Sequence, residues 1–167
     1  MKKLQIVLLM LIVLVTAFGC EEAGTEIPDE CSHLQVVDGW LPVWCDEFDG
    51  EELNSEKWTA LNTSWGGGNN EAQYYHPDNV EVKDGMLVIT AKKENYGGKS
   101  YTSGRIHTQY KGDWLYGKIV VRAKLPGGRG TWPAIWMLPT MSAYGTWPKS
   151  GEIDIVEYVG YDKNRLH

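Results

Sequence analysis

The stretch GEIDIVEYVG, Gly151–Gly160, sets three carboxylates in a run that otherwise has the composition of a buried β-strand. Glu152, Asp154 and Glu157 are interleaved with Ile153, Ile155, Val156, Tyr158 and Val159, and this content predicts a strand over Glu152–Val159. Burying an unpaired carboxylate costs several kcal/mol, so a chain seldom does this without a reason. Side chains of a strand alternate between faces, so Glu152 and Asp154 share one face and Glu157 in a regular strand takes the other. A β-bulge near Ile155 and Val156 inserts one residue and returns Glu157 to the first face. The two-then-three spacing therefore reads as a strand built to make three acids converge.

Outward from this strand the chain keeps the same character. From Gly39 onward, short apolar or alternating runs are separated by Gly, Asn, Asp and Pro. The pattern predicts strands at Leu41–Glu47, Val80–Lys83, Met86–Lys93, Thr102–Tyr110, Trp114–Leu125 and Ala134–Leu138, with KDGM as a turn between two of them. No stretch sustains a helical period for three turns. Trp114–Leu125 is the longest. One face carries Leu115, Gly117, Ile119, Val121, Ala123 and Leu125, and the other is mixed, as in a sheet that packs on a second sheet. The expected class is all-β, a β-sandwich or jelly roll. The run YVGYDKNRLH passes from a strand through a turn into the start of another strand. Central strands of a sandwich need partners on both sides, so the domain is expected to be incomplete on its C-terminal side.

The chain has 167 residues and a formal net charge of -6, which suits one domain at most and argues against a nucleic-acid partner. Its aromatics are skewed, with 8 Trp and 9 Tyr against 2 Phe. Trp and Tyr join an apolar face to a polar edge and suit half-wet surfaces such as sugar-binding clefts as well as cores. The opening MKKLQIVLLMLIVLVTAFGC has a basic start and an apolar run too short for a comfortable membrane span, and reads as a signal peptide over residues 1–19. AFGC resembles a lipoprotein cleavage site with Cys20 as the lipidated residue, although ordinary signal cleavage fits too. Either route exports the protein, to the bacterial cell envelope as a lipoprotein or as a secreted protein. Residues 20–38 read as an irregular acidic tether. Export permits a disulfide between Cys31 and Cys45, and two free thiols are the other arrangement.

Paired carboxylates are the machinery of glycoside hydrolysis, in which one is an ionised nucleophile and the other a proton donor. A third acid between them holds their properties apart. A retaining pair sits about 5–5.5 Å apart, which on a strand requires a curved sheet. The same acid row also suits a calcium site or a solvated face. Neighbouring residues favour a cleft. Trp132 and Trp136 flank Pro133 with flat indoles that stack on sugar rings, and Arg105 and Asn70 offer polar groups to hydroxyls. For Arg105 an ion pair is the alternative.

Five motifs, NNEAQYY, DGMLVITA, SGRIHT, GTWPAIWMLP and GEIDIVEYVG, together resemble glycoside hydrolase family 16, over roughly Gly39–His167. The resemblance implies a β-sandwich jelly roll with a concave substrate-binding sheet, and makes residues 39–167 an incomplete catalytic domain of that family. It implies a retaining mechanism with Glu152 as nucleophile, Glu157 as general acid/base and Asp154 assisting. Trp132, Trp136, Arg105 and Asn70 would line the donor-side subsites. The E-x-D-x-x-E spacing resembles laminarinases, hence an endo-β-1,3-glucanase on laminarin-like glucans, with mixed-linkage glucans left open. No cofactor is implied for the reaction. A structural calcium would use Glu47 and the carbonyl of Gly85. The implied partner is a polysaccharide, with membrane contact only through a lipid anchor, and the protein is expected to be a monomer. Agar or carrageenan hydrolysis, or glucan binding without catalysis by a surface lipoprotein, are the alternatives.

Overall fold

The computed structural model describes residues 26–66, 68–162 and 164–167. The signal peptide expected over residues 1–19 and the expected lipidation site at Cys20 lie outside them. The described residues divide into two compact units, one ending at Asp46 and the other beginning at Glu47. In the first, a 3-10 turn at Asp29–Cys31 leads to a disulfide between Cys31 and Cys45, with Cα atoms 5.8 Å apart and the Cys31 side chain fully buried. The tether expected over residues 20–38 thus holds, in its described part, a 3-10 turn. It also starts a tight turn in which Val37 and Trp40 exchange backbone hydrogen bonds around Asp38 and Gly39, both at positive φ. The strand expected at Leu41–Glu47 does not form, and these residues belong to no ladder.

The second unit is all-β, as its pattern predicts. Its strands are β1 (Thr59–Ala60), β2 (Gln73–Tyr75), β3 (Val80–Val82), β4 (Leu87–Ile89), β5 (Tyr101–Ser103), β6 (Ile106–His107), β7 (Ala134–Met137) and β8 (Ile153–Glu157). They pair as β1·β6, β3·β4 and β7·β8, all antiparallel, and β2·β5, parallel. Isolated bridges extend the β2·β5 pair on both sides, Thr63 to Tyr75 and Lys92 to Thr102. KDGM forms the two-residue hairpin between β3 and β4. Asp84 and Gly85 take φ of 54° and 69°, the left-handed pair that such a turn demands. A second hairpin of this kind, Tyr96–Lys99, turns on Gly97 and Gly98.

The long strand expected at Trp114–Leu125 is absent. Residues 115–125 form no backbone–backbone hydrogen bond among the described residues, and Leu115, Tyr116 and Val120 are 85%, 88% and 79% exposed. Alternation is a property of one chain, whereas a strand is a property of two. Without a ladder partner the pattern has nothing to bury against.

The most buried polar groups lie between these ladders. Asn79, 2% exposed, donates from Nδ2 to the Thr90 carbonyl at 2.7 Å and to Thr102 Oγ1 at 2.9 Å. Thr102, 1% exposed, donates in turn to Glu94 Oε1 at 2.5 Å. The Asn79 backbone carbonyl accepts from the Thr90 N–H, so one residue ties the chain on both sides of the β3–β4 hairpin to β5. Gly104 follows β5 where a Cβ would lie 2.6 Å from Val80 Cγ2, so the chain entering Arg105 passes hard against β3. Asn79→Ala leaves the Thr90 carbonyl and Thr102 hydroxyl short of a donor in a buried site. The expected loss is on the order of 2–3 kcal/mol, read as a lower urea midpoint at unchanged m-value. A midpoint equal to the parent's contradicts this role.

Candidate active site

The β7·β8 ladder carries the acids. Its register pairs Ala134 with Glu157, Ile135 with Val156, Trp136 with Asp154 and Met137 with Ile153. Ile155 has no opposite number, so β8 holds one residue more than β7 and the expected bulge is present. Directly opposed residues share a face. Glu157 therefore lies on the face of Ala134, and Asp154 on that of Trp136, which is the same face because Ala134 and Trp136 are two apart. Glu152, two residues before Asp154, continues the row. Glu152 and Asp154 are exposed and Glu157 is half-buried. Ile153 and Val156 turn to the other face with Met137 and Ile135.

Backbone hydrogen bonds carry this pairing past the strand ends. Tyr158 donates to the Pro133 carbonyl at 3.1 Å and Gly160 to that of Thr131 at 3.0 Å, which draws the Trp132 segment alongside β8. Gly160 has to be glycine, since a Cβ there would meet Thr131 Oγ1 at 1.9 Å. On the far edge, Glu157 and His167 exchange N–H···O bonds of 3.0 and 2.8 Å. That hydrogen-bonded pairing puts His167 on the acid face beside Glu157.

Arg105 joins the site from another ladder. Its guanidinium lies 4.6 Å from the centroid of Trp136 and 5.6 Å from that of Tyr75. Among the described residues it forms no ion pair with a carboxylate, so aromatic faces hold it and its N–H donors stay available. Tyr75 is fixed behind it by donating its O–H to Glu71 Oε2, which also accepts from Gln73 Nε2 at 2.6 Å. Burial pushes the Tyr75 hydroxyl above the ordinary tyrosine range, the Glu71 carboxylate adds to the shift, and Arg105 opposes it. His107 is held below the ordinary histidine range, first by burial and then by the positive charges of Arg105 and Lys111.

Trp136, Arg105, Asp154 and Glu157 are thus brought together, with Glu152 in line. Trp132 is 48% exposed, four residues before Trp136. Asn70 is exposed at φ 56°, three residues before β2, and shares no hydrogen bond or ring contact with the acid row among the described residues. Glu47 is exposed, and Gly85 sits in the β3–β4 turn. Calcium takes about six to eight oxygens. Among the described residues, the group of three carboxylate, His or Cys ligand atoms within reach of one another is Glu30, Cys31 and Cys45, two of them in the disulfide. Tyr75, Glu71 and Trp147 were not singled out by sequence reasoning. The indole Nε1–H of Trp147 donates to Glu152 Oε2 at 2.6 Å. Tyr75 and Glu71 lie inside the NNEAQYY motif, and that was their only sequence signal.

The sequence model of Glycosyl hydrolases family 16 matches residues 67–167. A β-glucanase of Rhodothermus marinus is 44% identical over 93% of this chain and 54% of its own length. A β-1,3-glucan-binding protein of Penaeus monodon is 54% identical over 90% of this chain and 50% of its own. The crystal structure of the Rhodothermus marinus laminarinase superimposes with a TM-score of 0.67 at 48% identity, over 71% of this chain and 50% of that one. The chain spans about half the length of the relatives it matches. Its all-β jelly-roll class agrees with that superposition.

The charges around His107 make a direct test of the Arg105 placement. The fold favours neutral His107, so its contribution to stability is present above about pH 6.5 and is lost as pH falls toward the lowered folded value. Arg105→Ala removes one repelling charge. The NMR titration midpoint of His107 is then expected to rise, and a midpoint that stays or falls contradicts the placement.

Proposed function

This chain belongs to family 16 of the glycosyl hydrolases, and on that premise we propose that it acts in retaining endo-hydrolysis of β-1,3-glucan of the laminarin kind. Glu152 attacks the anomeric carbon while the bond to the leaving oxygen breaks and Glu157 gives that oxygen its proton. Glu157 then takes a proton from water, the water oxygen displaces Glu152 from the glycosyl-enzyme, and the anomeric configuration is retained. Asp154 lies between them in the row and assists both. Trp132 and Trp136 stack on sugar rings, and Arg105 and Asn70 bind hydroxyls. No step passes through a metal.

The observation that carries this reading is the unpaired Ile155. A regular strand with Ile155 matched in register would put Glu157 on the opposite face from Glu152 and Asp154, where no shared substrate could lie between them. The laminarinase and β-glucanase relatives support β-1,3-glucan as the substrate, with mixed-linkage glucan as a second substrate to be tested. Export, with or without a lipid at Cys20, rests on the N-terminal sequence alone. The likeness to a β-1,3-glucan-binding protein favours a second reading, glucan binding without turnover.

Reducing-sugar release from laminarin separates the two. Under the enzyme reading Glu152→Gln lowers release by at least about three orders of magnitude while laminarin binding persists, and NMR of the first product shows the β-anomer. Binding by the parent protein without release sinks hydrolysis in favour of the second reading. An α-anomeric first product would overturn retention.

A further inference from the structure

Trp147 stands in the segment Pro139–Gly151, between β7 and β8, five residues before Glu152. Its indole is 69% exposed, yet its single polar atom is spent on Glu152 Oε2 at 2.6 Å. An exposed indole N–H has water available to it, so this contact is not needed to satisfy a buried donor. Nor does the segment depend on it for shape. Ser150 Oγ donates to the Gly145 carbonyl at 2.6 Å and accepts from the Tyr144 N–H at 3.1 Å. Lys149 donates to the Thr146 carbonyl and Gly151 to that of Pro148, both at 3.0 Å. At the other end, Gln109 Nε2 donates to the Thr140 carbonyl at 2.9 Å, and Thr140 Oγ1 to Asp113 Oδ1. The segment is braced by its own backbone and by Ser150, and it delivers one N–H to one oxygen of one acid.

We propose that Trp147 is a positioning residue for Glu152, its indole N–H holding Oε2 so that Oε1 is the oxygen presented to the anomeric carbon. This deepens the proposed reaction and rests on Glu152 being its nucleophile. A carboxylate on an exposed stretch rotates freely about its last bonds, and each rotation takes the attacking oxygen out of line. A fixed donor on one oxygen removes that freedom and leaves the other oxygen unencumbered. The donor is neutral, so it orients the anion without the competing attraction of a salt-bridge partner.

The test compares Trp147→Phe, Trp147→His and Glu152→Gln in the full chain, with two readouts. Phe keeps an aromatic face and loses the N–H, so the expected result is a fall in kcat of about ten- to a hundredfold with KM and melting temperature unchanged. His restores a ring N–H and is expected to recover part of the loss. A Phe variant with parental kcat, or one whose KM and melting temperature move along with kcat, overturns the positioning role while Glu152→Gln still reports on the nucleophile. The second readout does not need turnover. In ¹H–¹⁵N spectra of the 8 indole groups, the cross-peak deleted by Trp147→Phe is expected to move upfield in Glu152→Gln, because a neutral amide is a poorer acceptor. An unmoved cross-peak overturns the contact. A moved cross-peak in a protein that leaves laminarin intact upholds the contact and overturns the glucanase reading instead.

Discussion

The count of two residues against one in the β7·β8 ladder governs everything on the acid face. With Ile155 unmatched, Asp154 and Glu157 stand opposite Trp136 and Ala134, and Ile153 and Val156 stand opposite Met137 and Ile135. Charge and hydrocarbon are thereby sorted to opposite sides of the ladder. A regular register would instead send Glu157 to the face of Ile153, away from Asp154. The ladder is kept in step past its end by the Tyr158 and Gly160 backbone bonds to Pro133 and Thr131. The closeness of Gly160 to Thr131 shows how tightly that extension is packed.

The second organising feature is a cation placed on the acid face with no carboxylate partner among the described residues. Arg105 reaches it from the chain just ahead of β6, over Trp136 and Tyr75. A guanidinium stacked on rings keeps its fork of N–H groups for a ligand, whereas one locked to an aspartate does not. Its charge reaches outward as well, lowering His107 and opposing the rise of Tyr75. Glu71 is held on Tyr75 and Gln73, and Gly66 leaves room for it, since a Cβ there would sit 2.6 Å from the Glu71 carboxylate.

Much of this was legible in the sequence because it depends on local period and local turn chemistry. The acid spacing of Glu152, Asp154 and Glu157 called for one extra residue, and Ile155 is that residue. Asp84–Gly85 called for a tight hairpin and forms one. The face of Trp136 followed from simple alternation. Trp114–Leu125 failed for the opposite reason, since its alternating pattern states what the chain would bury but supplies no ladder partner. The hydrogen bond from Trp147 to Glu152 left no trace in any period. It depends on how the connection between β7 and β8 closes on itself, through Ser150 and the turn carbonyls.

The sequence by itself therefore determined the class of fold, from alternating runs along the chain, the face on which the acids stand, from their spacing on one strand, and the family, from five motifs in order. Only the tertiary structure decided what meets that face. Arg105 is 31 positions from Trp136 and comes over it from a different ladder. The Asn79–Thr102–Glu94 hydrogen bonds bridge three separate segments. His167 reaches Glu157 only because the chain turns back on β8. Contacts between distant residues are set by the shapes of several elements packing at once, and no short stretch of sequence carries that information.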